Sequence, residues 1–213
     1  MGEYGGEEIP MSAVIESLTT FFFYSVLAVF AQNAVFSRAL GVSRLVKLVD
    51  DASISSMIFC ACLCVIQLIS APLAFLCNKY FLSLISWRAM IRPLVMLICS
   101  AVALGIVVVA IGALKLPYAN KIAPVLPMAT FNCAVMGCLF LTTAQNFTFM
   151  QTMGFALGSG LGYTLAVMAV TEGQRKLKQR SVPNTFQGLP VTLLYIAVLA
   201  MAIYGFTGHM AAF

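Results

Sequence analysis

Leu126-Pro127-Met128-Ala129-Thr130-Phe131-Asn132-Cys133-Ala134-Val135-Met136-Gly137 is the stretch on which the fold turns. It is apolar enough to lie in lipid, yet it carries a proline, an amide and a glycine, with Pro124 just before it. Proline removes a backbone donor and loosens a helix. A break at membrane depth is tolerated only where protein or a cavity covers the freed backbone groups. Two readings of Cys133 follow. It sits at a covered helix break, where a buried cofactor is held, or it is a packed cysteine in a proline-kinked helix.

The rest of the chain places this stretch in a membrane. Of 213 residues, 62% are hydrophobic and only 9% charged. A soluble domain carries roughly 25% charged residues, so this chain has too few polar groups to cover a globular surface. That excludes an ordinary cytosolic enzyme, a disordered chain and a nucleic-acid-binding domain. The net charge of +5 reads as loop charge set against a membrane.

Six apolar stretches stand out, at residues 12–36, 54–77, 94–114, 122–141, 153–170 and 189–206. Each is near the length that crosses a hydrocarbon core of about 30 Å, and each is expected to be helical, since a lone strand leaves backbone groups unpaired in lipid. The first residues carry Glu3, Glu7 and Glu8 and no Lys or Arg, so they do not read as a signal peptide.

Lys and Arg sort the loops. Arg38, Arg44 and Lys47 follow the first span, Lys115 and Lys121 the third, and Arg175, Lys176, Lys178 and Arg180 the fifth. The opposite loops hold Lys79, Arg88 and Arg92 after the second span and none after the fourth. The odd loops are therefore expected in the cytoplasm and both termini outside. Segment 80–91 departs from this bias; it is half apolar, with Tyr80 and Trp87 expected at headgroup level. The basic run after the fifth span reads as a topology determinant or as a dock for a partner or anionic lipid.

No carboxylate falls in the middle of a span, so the chain alone lacks the buried charge that proton and cation carriers usually keep. The mid-membrane polar residues are mostly amides, Asn33, Gln67 and Asn132. His209 reads as an interfacial residue. The cysteines Cys60, Cys62, Cys64, Cys77, Cys99, Cys133 and Cys138 all lie in apolar spans and form no C-x-x-C pair. Gly154, Gly158 and Gly162 recur every four residues, which lines one helix face with small residues and lets another backbone approach.

The opening stretch resembles the L-P-L-x-T-x-N-C-A-V-x-G signature of the six-helix integral subunits of the Rnf and Nqr ion-translocating electron-transport complexes. The glycine-rich fifth span, the segment Val182-Pro183-Asn184-Thr185-Phe186-Gln187-Gly188 ("VPxxFxG") and the terminal Tyr204-Gly205-Phe206-Thr207-Gly208 ("MGFSG") extend the likeness, and Ser86-Trp87-Arg88 sits where the family often has an arginine. The N-C-A-V-x-G form, with both termini outside, is similar to the RnfA/NqrE branch. The resemblance implies an all-α membrane protein of six transmembrane helices, built as two inverted three-helix repeats with helices one and four broken. An outer tail would occupy residues 1–10 and the two repeats 11–114 and 115–213. It also implies residence in the bacterial cytoplasmic membrane.

In the family, two such subunits of opposite orientation pack together, and each gives one cysteine from helix one and one from helix four to a shared 2Fe-2S cluster. By resemblance Cys133 is the helix-four ligand, and Asn33 and Asn132 flank the paired breaks. The helix-one segment Gln32-Asn33-Ala34-Val35-Phe36-Ser37-Arg38-Ala39-Leu40-Gly41-Val42-Ser43-Arg44 departs from the family pattern. Aligned without a gap, Ser43 stands at the cysteine. Aligned on Gly41-Val42-Ser43, the cysteine is deleted. Cys138 is a stand-in, but helical spacing turns it away from Cys133. The cluster is then absent, or held by three thiolates and Ser43 or another ligand, or the chain is a paralogue that keeps the fold without the redox role.

Two functions are expected from this. The first is a non-autonomous subunit of a redox-driven Na⁺ or H⁺ pump, forming the intramembrane electron path with its sister subunit beside other subunits carrying flavin and Fe-S. The alternative is a paralogue without the cluster, acting as a small inverted-repeat transporter or membrane scaffold.

Overall fold

The computed structural model of the chain describes residues 11–50, 56–84, 87–114, 119–178 and 188–207. Glu3, Glu7, Glu8, Ser86, Lys115, Arg180, His209, the outer tail 1–10 and residues 182–187 of the sixth-span motif lie outside the described residues.

Among the described residues every regular element is helical. In chain order these are α1 (Met11–Val29), α2 (Val42–Asp50), α3 (Ser56–Leu76), α4 (Arg88–Leu114), α5 (Ala119–Ile122), α6 (Val125–Thr130), α7 (Cys133–Ala144), α8 (Phe149–Lys178) and α9 (Leu189–Thr207). α3 runs on through a π turn at Cys77–Phe81 and a 3₁₀ turn at Leu82–Leu84. Four helical stretches are long and apolar enough to cross a membrane: Met11–Val29, Ser56–Leu84, Arg88–Ala113 and Phe149–Leu177. Cys133–Ala144 and Leu189–Gly205 are shorter apolar helices. The long helices are apolar on nearly every face, the pattern of a segment surrounded by lipid or protein. Val14, Leu18, Phe22 and Val26 stay exposed along one side of α1.

α8 is the central post. A Cβ on Gly154 would run into the carbonyl of Phe21, and one on Gly158 into the carbonyl of Ser25. One on Gly162 would lie 3.2 Å from the Cα of Val29. The partner numbers rise in step on both helices, so α1 and α8 run parallel with their backbones in contact. Without a hydrophobic driving force inside lipid, this close approach is what holds two helices together. On its other side α8 meets α3, where a Cβ on Gly160 would lie 2.7 Å from Cys64 Sγ.

The core has two parts. In one, Phe59 and Leu63 of α3 pack with Leu126 and Ala129 of α6, Tyr163 and Ala166 of α8, and Leu45 of α2. In the other, Ala71 and Ala74 of α3 pack with Cys138 and Leu139 of α7 and Phe155 of α8. From the first part to the second, residue numbers rise along α3 and along α6–α7 and fall along α8. α3 therefore runs parallel to the α6–α7 line and antiparallel to α8.

Two span boundaries differ from expectation, and the fourth span carries the break its sequence announces. Apolar character extends the first span to Phe36, but α1 stops at Val29 because the Asn33 side chain takes over the backbone groups beyond it. The fourth span is cut into α5, α6 and α7. The fifth extends to Lys178, so Arg175, Lys176 and Lys178 close a helix rather than occupy a loop. Basic residues favour a helix C-terminus, where the backbone dipole is negative.

Candidate functional site at the paired helix breaks

The first break runs from Phe30 to Gly41, and Asn33 organises it. Its Oδ1 accepts from the backbone N–H groups of Val35 (2.9 Å) and Phe36 (3.3 Å). Its Nδ2 donates to the carbonyls of Val29 (2.8 Å) and Gly162 (3.1 Å). One buried amide thus closes the C-terminal end of α1, starts the turn and ties both to α8. The backbone N–H of Ala39 donates to Val35 (2.9 Å) and that of Leu40 to Ala34 (2.8 Å). The turn ends at Gly41, whose φ of +75° suits a residue without a Cβ.

The second break lies at Phe131–Asn132. Thr130 ends α6, and Asn132, in extended conformation, caps α7 by accepting from the Ala134 N–H through Oδ1 (3.1 Å). An asparagine side chain at this position satisfies a donor that the helix itself leaves free. Each break therefore carries an asparagine whose Oδ1 binds the N–H two residues on. Asn33 is 1% exposed and Asn132 4%.

The two breaks touch. A Cβ on Gly41 would lie 2.8 Å from Asn132 Oδ1 and 2.9 Å from the Tyr163 ring. The Tyr163 hydroxyl donates to the Gly41 carbonyl at 3.3 Å. Leu40 fills the space over Gly137, so that glycine lets the first break lie against α7. Asn132 Nδ2 and Gln67 Oε1 are buried without a hydrogen-bond partner among the described residues. Gln67 binds across to α8 through Nε2, which donates to Ser159 Oγ (3.0 Å).

Cys133 opens α7 and is exposed on this chain. Its break is thus not covered by the chain's own residues at the cysteine, as the covered-break reading of that residue required. Ser43, in the first turn of α2, is exposed as well. Next to it Arg44 reaches the Met128 thioether of α6 and lies 5.9 Å from the centre of the Phe59 ring. Cys138 is buried, on a different side of α7 from Cys133. Sequence reasoning missed Tyr163 and Arg44. Tyr163 had a signal, since it follows the last glycine of the four-residue repeat.

An Fe–S cluster of the 2Fe-2S type asks for four thiolates, hence two from each of two equivalent subunits. This chain brings Cys133 to one break and a hydroxyl, Ser43, to the start of the helix after the other. Oxygen is a harder ligand than sulfur and a poorer match for such a cluster. Among the described residues no three His, Cys, Asp or Glu side chains form a group able to hold a metal. The donor set falls one thiol short of the all-thiolate half-site.

The family described as Rnf-Nqr subunit, membrane protein, matches residues 21–210. Over 197 residues the chain is 26% identical to the A subunit of the Na(+)-translocating ferredoxin:NAD(+) oxidoreductase complex of Acetobacterium woodii, covering 89% of this chain and 97% of that protein. Shorter matches are closer in identity. The A subunit of the ion-translocating oxidoreductase complex of Syntrophotalea carbinolica is 39% identical over 83 residues, 39% of this chain and 43% of that one. The E subunit of the Na(+)-translocating NADH-quinone reductase of Hahella chejuensis is 32% identical over 89 residues, 42% of this chain and 44% of that one. The matched segment therefore spans less than half the length of these last two relatives. With the family matched over most of its length, the chain belongs to the Rnf-Nqr family of membrane subunits, in its RnfA/NqrE branch.

Proposed function

We propose that this chain is an integral subunit of an ion-translocating electron-transport complex, with six membrane-crossing segments arranged as two inverted three-helix repeats over residues 11–114 and 115–213. The contact of two asparagine-capped helix breaks at Gly41 carries this reading. Helix one of the first repeat (α1) pairs with helix two of the second (α8), and helix one of the second (α6–α7) pairs with helix two of the first (α3). Both pairs run parallel, as a two-fold relation between repeats requires. The relatives' names supply the electron-transport and ion-translocating setting.

In this reading the chain lies in the bacterial cytoplasmic membrane with its termini outside, against a homologous sister subunit of opposite orientation. Cys133, exposed at the first turn of α7, faces that subunit. Asn33, Asn132 and Tyr163 hold the two breaks in register, so that Cys133 and the start of α2 are presented from a fixed frame. Subunits carrying flavin and Fe-S complete the complex. A shared 2Fe-2S centre would have to take a ligand other than a helix-one thiol from this chain.

Ser43 at the cysteine position favours the second reading, a paralogue that keeps the fold as a scaffold or small transporter without a cluster. Purification of the tagged chain from its native membranes separates the two. The first reading expects a six-helix homologue with flavin- and Fe-S-carrying subunits, and iron with an EPR signal on reduction. A complete complex without iron at the membrane interior sinks the cluster. Recovery of the chain without those subunits sinks the complex assignment.

A further inference from the structure

At the end of the bundle where α3 gives way to α4, a cavity of about 310 Å³ opens between the π turn, the start of α4 and the α7–α8 turn. Three cationic side chains line it, Lys79, Arg88 and Arg92, together with the amides of Asn78 and Asn146. No carboxylate is among the described residues that line it. Among the described residues the only ion pair joins Arg175 to Glu172, at the far end of α8. Glu16 opens onto an adjoining hollow instead. Arg92 Nε is buried and has no hydrogen-bond partner among the described residues.

The cavity has a firm apolar floor. Phe147 packs edge-on against Tyr24 (4.9 Å between ring centres) and Phe155 (5.6 Å), and Phe75 against Phe149 (5.6 Å). Ser83 Oγ donates to the Lys79 carbonyl (2.7 Å), fixing the turn that carries the lysine. Exposed Tyr80, Phe81, Leu84 and Trp87 stand on the same segment. That mixture of aromatic and basic residues marks the depth of lipid headgroups. These are also the charges that depart from the loop bias in the sequence. Three like charges gathered around one hollow repel each other unless an anion sits among them, and guanidinium groups match the oxygens of a phosphate in pairs. Arg88 also opens α4, whose N-terminus adds positive potential.

We propose that this cavity binds a phosphate group, carried by the headgroup of an anionic phospholipid or present as the free ion. Arg88 and Arg92 supply the paired donors, with Lys79 and the two amides completing the shell. The site lies apart from the Gly41–Asn132 junction and does not depend on the complex assignment.

Two arms test it on the full chain purified in mild detergent. Native mass spectrometry counts phosphatidylglycerol and phosphatidylcholine retained after delipidation. Calorimetry titrates inorganic phosphate into the delipidated chain. Selective retention of phosphatidylglycerol assigns the phosphate to a lipid, and binding of inorganic phosphate assigns it to the free ion. In either arm Arg92→Gln, and the exposed Arg88→Gln as the variant less apt to disturb folding, should weaken binding by about fivefold or more, since each cation near an anionic headgroup is worth about a factor of five. Arg175→Gln at the far end should leave binding unchanged. Absence of both ligands, or equal retention in Arg88→Gln and wild type, overturns the proposal, as does occupation of the cavity by a partner's carboxylate in the purified complex.

Discussion

Asn132 Oδ1 stands 2.8 Å from the point where a Cβ on Gly41 would be, although the two residues are far apart in the chain. Gly41 has φ +75°, so a side chain there is opposed by its own backbone as well as by its neighbours. Gly41→Ala should cost about 2–5 kcal/mol, the sum of a left-handed alanine and an overpacked contact. Gly105→Ala is the control, because nothing lies within 4 Å of its added Cβ; it should be neutral or gain up to about 1 kcal/mol from helix propensity. Thermal unfolding in detergent compares them. Equal effects would place the junction elsewhere.

The α1–α8 contact yields a second test. Gly158→Val sets two methyl groups against the Ser25 carbonyl in the backbone of α1. It should destabilise by about 1–3 kcal/mol or more, because backbone cannot give way as a flexible side chain does. Gly112→Val, with open space around its Cβ, should shift stability only by its small change in helix propensity. The same unfolding series measures both.

The two asparagines are not equal. Asn33 makes four hydrogen bonds and joins α1, the turn and α8. Asn132 makes one capping bond and leaves Nδ2 unpartnered among the described residues. Asn33→Ala should therefore cost about 2 kcal/mol or more, since it strands buried backbone groups. Asn132→Ser keeps a capping oxygen and removes the unpartnered amide, so it should stay within about 1 kcal/mol of wild type. The reverse order would mean that the second break, not the first, anchors the junction.

Ser43→Cys tests the alignment of the first break. If Ser43 occupies the missing cysteine's place, the variant should raise the iron bound per purified complex above wild type. Unchanged iron points to the gapped alignment.

The second break was legible because proline, asparagine and glycine announce it within a few residues, and the observed gap at Phe131–Asn132 falls inside the quoted stretch. The first carries no proline and was legible only through the family resemblance, which implied a break in helix one beside Asn33. Residues 30–36 are as apolar as a helix requires, and only the hydrogen bonds of Asn33 end α1 at Val29. The glycine repeat announced a close helix contact correctly, but which helix would come close depends on packing across more than a hundred residues. Tyr163 and the Lys79–Arg88–Arg92 cavity have the same origin. Each is assembled from side chains that no local pattern connects. The likeness at residues 41–43 left two alignments open and announced neither the short helix α2 that starts there nor the exposure of Ser43.

Cys133, exposed at the first turn of α7, is proposed to face a sister subunit. The most direct test is thiol labelling by a membrane-permeant maleimide, read residue by residue by mass spectrometry, on the chain alone and in the complex purified from native membranes. Exposed Cys133 should label readily on the isolated chain and at least about tenfold more slowly in the complex, where an interface core excludes solvent and reagent. Buried Cys138 should label poorly in both. Equal labelling of Cys133 in the two preparations would place it outside any subunit interface and overturn that proposal.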